Sequence, residues 1–298
     1  MSGFPYWRYS LDNELVMFER LKSSYDTINT KEESNHVVVI RRYPEDYKLC
    51  DQISNHFTEN IRVKCKFAQD KTPYEVWNEV KKDKEYKKLN KEDQREHIYS
   101  LTRECNTFNP TYCLYIILKL VGPNAKILDP SSGWGDRLIA SIASEAELYH
   151  GFDPNKCLQT GYNKIKKVFN GKNIKIKYIP FEESKLEENF YDLAITSPPY
   201  FTLEQYSDES TQSVVRYNDY HTWVTSFYTP YINKMISAIR PGGYISIYIE
   251  DITVNKQRYD LRKLTIRIMD NNNQMSFHDQ IGFRTGSKTR WSLIWRKL

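Results

Sequence analysis

Cysteine is sparse in this 298-residue chain: Cys50, Cys65, Cys105, Cys113 and Cys157 are scattered, and no two form a C-x-x-C pair. That argues against a disulfide framework or a zinc site and for a reducing compartment. The six histidines are isolated, so no metal centre is expected. No run approaches 18 uncharged apolar residues, which speaks against a membrane span, and acidic residues interrupt every apolar stretch near the N-terminus, so no signal peptide is read there. The expectation is a soluble, intracellular, non-secreted protein without a membrane partner. Eleven glycines and twelve prolines are too few for collagen-like or low-complexity classes.

Several catalytic signatures are missing as well. There is no G-x-G-x-x-G fingerprint and no G-x-x-x-x-G-K phosphate loop. A G-x-S-x-G elbow is absent, which removes Ser/His/Asp hydrolysis in its commonest setting. None of the five cysteines follows a proline, so the Pro-Cys nucleophile needed to methylate carbon 5 of cytosine is lacking.

Charge is present but uneven. The formal net charge is +5, yet residues 254–298 alone hold ten Lys/Arg against three Asp/Glu. A basic tail suits a polyanionic partner, and it is equally consistent with a solvated charged face. Twenty-three tyrosines and an aromatic content of 14% suit base stacking, although most such rings serve ordinary packing.

Residues 1–103 read as a charge-rich α+β region. A strand is predicted at 36–41, a helix at 46–57, a strand at 61–67 from its apolar/charged alternation, and helices from Pro73 to about Leu89 and at 92–103. From residue 104 the rhythm changes. Helices are predicted at 111–121, 136–144, 156–169, 223–239 (kinked at Pro230) and 258–269. Strands are predicted at 126–129, 148–153, 174–179, 192–196 and 244–249, with a closing hairpin over 275–284 and 289–296. This alternation implies an α/β fold, Rossmann-like, with a doubly wound, mostly parallel sheet and a C-terminal antiparallel hairpin. Ligands of such sheets bind at the carboxyl ends of the strands.

Every chemically informative motif falls at such an end. Asp129-Pro130-Ser131-Ser132-Gly133-Trp134-Gly135 follows a strand and opens a helix, so two glycines permit a tight turn and close backbone approach. The acid before the turn would repel a phosphate and could face a cationic ligand. Asp153 ends the next strand, where it can accept bonds from both hydroxyls of a ribose or cap the following helix. Phe181 and Glu182 follow the third strand and could flank an adenine ring; Glu182 and Glu183 read equally as helix-start acids. Ser197-Pro198-Pro199-Tyr200 ends the fourth apolar strand. Two prolines fix an extended turn with outward carbonyls, a hydroxyl precedes them and a ring follows. Ser197 Oγ and the Pro198 carbonyl can accept the two hydrogens of an exocyclic base amine, and Tyr200 can stack on a base rotated out of its helix. His221 could contact substrate or simply start a helix.

Together, the Asp129–Gly135 loop, the spaced Asp153 and Thr196-Ser197-Pro198-Pro199-Tyr200 resemble the class I S-adenosylmethionine-dependent methyltransferases that modify exocyclic amines of nucleic-acid bases. The resemblance covers residues 106–298. It implies S-adenosyl-L-methionine as cofactor, N4-cytosine or N6-adenine in DNA as acceptor, and RNA as the alternative substrate; a catalytically inactive nucleic-acid-binding subunit is a further alternative. It also implies that Phe108-Asn109-Pro110 contacts the methionine end of the cofactor and that Asp129 lies near its cationic centre. Ser131, Ser132 and Trp134 depart from the usual loop, and Trp134 is expected to reshape the pocket. Residues 104–298 would form the catalytic domain. With so short a segment after the last parallel strand, target choice falls to residues 1–103, to a partner subunit, or to low specificity.

Overall fold

The computed structural model describes residues 3–40 and 50–298. Among the described residues there are thirteen strands: β1 Thr30–Glu33, β2 His36–Ile40, β3 Lys66–Phe67, β4 Lys126–Asp129, β5 Leu148–Phe152, β6 Ile174–Lys177, β7 Tyr191–Thr196, β8 Glu204–Gln205, β9 Ile239–Tyr248, β10 Ile252–Val254, β11 Gln257–Tyr259, β12 Met275–Thr285 and β13 Lys288–Lys297. Nine of them form one sheet in the order β1-β2-β12-β13-β9-β7-β4-β5-β6, while β3-β8 and β10-β11 are separate pairs. β6, β5, β4, β7 and β9 are mutually parallel, and β13 is inserted antiparallel between β9 and β12. The chain leaves β4 outward to β5 and β6, then returns to β7 on its other side. That reversal leaves a crevice at the carboxyl ends of β4 and β7. The fold is a Rossmann-like α/β sandwich with mixed C-terminal strands.

Helices cover both faces, as burial of such a sheet demands. One layer contains Glu14–Ser23, Pro110–Leu120, Asp136–Ala143 and Gln159–Val168; its core includes Tyr112, Leu138, Tyr149 and Ile165. The opposite layer contains Thr229–Ala238 and Leu261–Asp270 over Ile232, Ile245, Ile247 and Trp295. Residues 1–103 enter this architecture in two ways. Met17, Phe18, Val39, Ile53 and Phe57 share the first core, whereas Phe4, Tyr6, Trp77, Tyr86 and Ile98 make a small core of their own. No helix among the described residues is long and apolar enough to cross a membrane.

Several sequence expectations need correction. The strand expected at 61–67 is reduced to its end: the helix Asn55–Arg62 runs through its first two residues, a turn follows at 63–65, and only Lys66–Phe67 is extended. The buried face of that helix is polar, with Arg62 paired to Glu104 and donating to Asn55 at 2.6 Å, so a search for apolar periodicity passes over it. The predicted 46–57 helix begins outside the described residues. The Pro73 helix, opened by a Thr72/Glu75 capping box, stops at Val80, and a separate helix occupies Lys84–Lys88. In place of a simple kink, Trp223–Tyr228 forms a widened π turn ahead of the helix bearing Pro230. The helix expected from Arg258 starts at Leu261, because β10 and β11 pair across left-handed Asn255 and Lys256.

Candidate active site

The carboxyl ends of β4, β5, β7 and β9 open onto a cavity of about 350 Å³. Its first wall is the turn after β4. Gly133 and Gly135 hold φ values of 57° and 95°, a left-handed backbone that other residues adopt at a cost. At Gly135 a Cβ would stand 2.6 Å from Ile165 Cδ1, so this glycine serves the turn and the helix behind it and does not line the cavity. Pro130, Ser131, Gly133 and Trp134 do line it.

Asp129 does not take the place expected of it. It is fully buried behind the turn, where Oδ2 accepts from Arg137 Nε at 2.9 Å and from the Tyr149 hydroxyl at 2.8 Å. Its Oδ1 accepts from the Ser131 amide at 3.2 Å. Burial pushes this carboxyl above its ordinary range, and the Arg137 guanidinium opposes the shift. The carboxylate is therefore paired with Arg137 inside the protein and does not line the cavity. Arg137 also donates to the Ser131 carbonyl and sits 5.1 Å from the Phe108 ring centroid, so the acid acts through it to brace the turn.

Asp153, at the end of β5, reaches back to the same turn. Its Oδ2 accepts from the Gly133 amide and its Oδ1 from the Asn155 amide, each at 2.9 Å. The half-buried carboxylate thus shapes the turn, starts the next segment and lines the cavity at once. Burial pushes it up to about 6. Phe181 packs 5.2 Å from Phe152 and 5.1 Å from Tyr231 on the cavity wall; beside it Glu182 is pushed by burial to about 7. Glu183 turns away to pair with Arg216.

Trp134 forms a side wall held at two points: its Nε1 donates to the Asn106 carbonyl at 2.9 Å, and its own carbonyl accepts from Thr58 Oγ1 at 2.9 Å. Of the Phe108-Asn109-Pro110 segment, only Phe108 lines the cavity, packed against Tyr112 and Tyr248. Asn109 Oδ1 caps the following helix by accepting from the Tyr112 amide at 2.7 Å, and Pro110 is the first helical residue. Both are off the cavity, contrary to the expected cofactor contact.

The turn after β7 forms the far wall. Ser197, Pro199 and Tyr200 line the cavity, whereas Pro198 is buried off it. Of the two acceptors expected for an amine, only Ser197 faces the cavity. The Tyr200 hydroxyl donates to the Tyr248 carbonyl at 3.0 Å, which fixes the ring, and burial holds its ionisation well above the usual range. Phe201 next to it adopts φ 47° and is clamped by Tyr220, Trp223 and Tyr259, a left-handed bulky residue of the kind that clusters at functional sites. His221 is exposed at the start of a helix, outside the cavity.

Sequence reasoning missed several participants. The Tyr231 hydroxyl lies 2.8 Å from both Ser131 Oγ and Thr196 Oγ1, tying the turn after β4 to the end of β7. In the sequence it is one more residue of the helix predicted at 223–239. Glu204 accepts from the Asn106 backbone amide (2.9 Å) and side-chain amide (3.0 Å) and from the Tyr206 hydroxyl (2.6 Å), clasping the segment before Pro110 to that after Tyr200. Tyr248, Lys288 and Arg290 complete the far rim. No local motif announces them.

No protein-family model matches this chain, and no curated protein does either. Among solved structures, TrmN from Thermus thermophilus aligns with a TM-score of 0.48 at 12% identity over 65% of this chain, which spans half of that one. A tRNA (m1A58) methyltransferase, TrmI from Aquifex aeolicus, aligns with a TM-score of 0.43 at 18% identity, covering 66% of this chain and 72% of that one. A SAM-dependent O-methyltransferase from Thermotoga maritima gives 0.43 at 12% identity, with 68% and 70% covered. These overlaps concern the path of the chain alone.

Proposed function

We propose that this protein transfers a methyl group from S-adenosyl-L-methionine to an exocyclic amine of a nucleic-acid base, N4 of cytosine or N6 of adenine. The observation that carries this reading is the single cavity joining the Gly133–Asp153 corner to Ser197, Pro199 and Tyr200. The residues present suit an adenosine-bearing sulfonium ligand. Asp153 presents a carboxylate to ribose hydroxyls, Phe181 offers a face for an adenine, and the left-handed turn at Gly133 lets backbone approach closely. When bound, that cofactor supplies a methyl group already electrophilic enough to need no covalent enzyme intermediate.

The chain's own contribution is placement. An exocyclic amine is a weak nucleophile because its lone pair is delocalised into the base. A hydrogen bond accepted by Ser197 Oγ favours the pyramidal amine, in which that pair is localised. The Tyr200 ring, fixed by its bond to the Tyr248 carbonyl, provides a stacking surface that holds the base in line. Tyr231 keeps the two walls in register through its paired hydroxyl contacts. The amine proton leaves to water after transfer.

DNA is the substrate in this reading. RNA carrying the same bases is the second reading, because single-stranded RNA already displays unstacked bases that need no flipping out of a duplex. The test is incubation of purified protein with labelled S-adenosylmethionine and separate DNA and RNA pools, followed by digestion and mass spectrometry of the nucleosides. N4-methylcytosine or N6-methyladenine in one pool fixes base and polymer together. Cofactor binding without transfer to either pool overturns the assignment of acceptor, and absence of cofactor binding leaves a nucleic-acid-binding role alone.

A further inference from the structure

Three cations lie near the tip of the β12–β13 hairpin, and their environments differ. Arg284 is committed: it donates to Glu33 at 2.5 Å and to Thr289 Oγ1 at 2.9 Å, which pins the hairpin to β1. Lys288 and Arg290 alternate with Thr289 along β13, are exposed, and line the cavity. Among the described residues, neither has a carboxylate within ion-pairing distance. Arg290 has the Tyr248 hydroxyl as a hydrogen-bond partner. Two acids share this rim. Asp251 is occupied by Arg258 at 3.0 Å and by the Arg262 amide, leaving Glu250 against two cations.

The sheet order locates these cations relative to the chemistry. Asp153 follows β5 and Ser197 follows β7, two strands apart; Arg290 lies on β13, two strands beyond β7 on the opposite side. Ser292 pairs with Tyr248, so Arg290 stands abreast of Glu250 at the carboxyl edge. Two strand spacings are roughly 10 Å. On the Asp153 side that distance suits an adenosine; on the Arg290 side it matches the reach from a base amine to the phosphate of its own nucleotide.

We propose that Lys288 and Arg290 form a phosphate-binding lip that grips the backbone of the target nucleotide while its amine sits at Ser197. The proposal rests on the methyl-transfer reading above and names the part of the substrate that the far rim holds. A phosphodiester satisfies the open guanidinium fork and the ammonium together, which a neutral nucleoside cannot do.

The test is equilibrium binding of a fluorescent single-stranded oligonucleotide across a salt series, which needs no catalysis. Each phosphate contact contributes about 0.7 to the slope of log affinity against log salt for single strands. Lys288→Gln/Arg290→Gln, which removes the one phosphate contact, should lower the slope by about 0.7, and Lys288→Gln, which disturbs no hydrogen bond, by part of that. Arg284→Gln, on the same hairpin but facing away, should leave the slope unchanged. An unchanged slope in the double variant, an equal loss in Arg284→Gln, or no oligonucleotide binding by the parent protein each overturns the lip. Equal competition by polyglutamate would also overturn it, because the site would then accept any polyanion. A lowered slope in a protein that transfers no methyl group keeps the lip and removes the reaction instead.

Discussion

The two ends of the cavity are built on opposite principles. At the Asp153 end, nearly every polar atom already has a partner: Gly133 with Asp153, Ser131 with Asp129 and Tyr231, Arg137 with Asp129. At the Arg290 end, Lys288, Arg290 and Glu250 line the space without ion-pair partners among the described residues. A corner whose geometry is fixed before a ligand arrives suits a ligand that never varies. An open, charged rim suits one whose backbone is constant while its sequence changes. Preorganisation lowers the ordering cost of binding at the first end, and screening by salt governs the second.

The strongest way to break the first end is to uncouple its brace. Asp129→Ala leaves Arg137 buried and unpaired, a loss of about 3–5 kcal/mol that chemical denaturation should read as a lower midpoint. A smaller loss would mean that the turn is held by something other than this pair. Tyr200→Ala acts at the junction of the two ends. We expect turnover to fall about a hundredfold, with cofactor affinity within error of the parent protein by calorimetry. Weakened cofactor binding in that variant would move Tyr200 to the other end and sink its stacking role. Asp153→Ala should do the reverse, raising the cofactor dissociation constant about tenfold. Unchanged titration would leave Asp153 with only its role in the turn.

The smallest effects concern pH. Since Asp153 is pushed up to about 6, cofactor affinity should plateau above that pH and weaken below it as the carboxylate is protonated. Stability should respond in the opposite direction. Burial pushes Glu59 up to about 7 and Asp136 up to about 6, so the folded chain holds protons that the unfolded chain releases. These two groups therefore add most to stability near pH 4, and their contribution declines as pH rises towards 7. Melting temperatures across that window check the sign; a rise attributable to either group, isolated with Glu59→Gln or Asp136→Asn, would contradict it.

Much of the fold was legible because it rests on local signals. The buried apolar strand at 191–196, the Gly133/Gly135 turn and the Pro110 helix start each follow from a few neighbouring residues. The candidate site was legible only where a motif coincides with a strand end, as at Asp153 and Ser197–Tyr200. Asp129 shows why the remainder was not: its position in the motif was read correctly, but its ligand is Arg137, and nothing in the order of residues says that this arginine turns inward. Tyr231 and Glu204 reach the site by contacts spanning 35 to 100 residues, and such couplings have no spacing rule. The end of the helix at 55–62 was read as strand for a related reason, its buried face being largely polar and neutralised by distant partners.

The pairing of β2 with β12 has a consequence for how the chain is made. Val38, Val39 and Ile40 align in parallel with Gly282, Phe283 and Arg284, and His36 bonds Asp279 across 243 residues. β2 therefore leaves the ribosome well before β12, and its open edge waits that long to be covered. During that interval a valine-rich strand presents unpaired backbone groups to its surroundings, with only the charged Thr30–Glu33 strand beside it as a guard. A nascent chain stalled before residue 275 would keep that edge uncovered, whereas one completed through β13 closes it. Synthesis of β12 and β13 thus serves as the step that commits β2 to its native place.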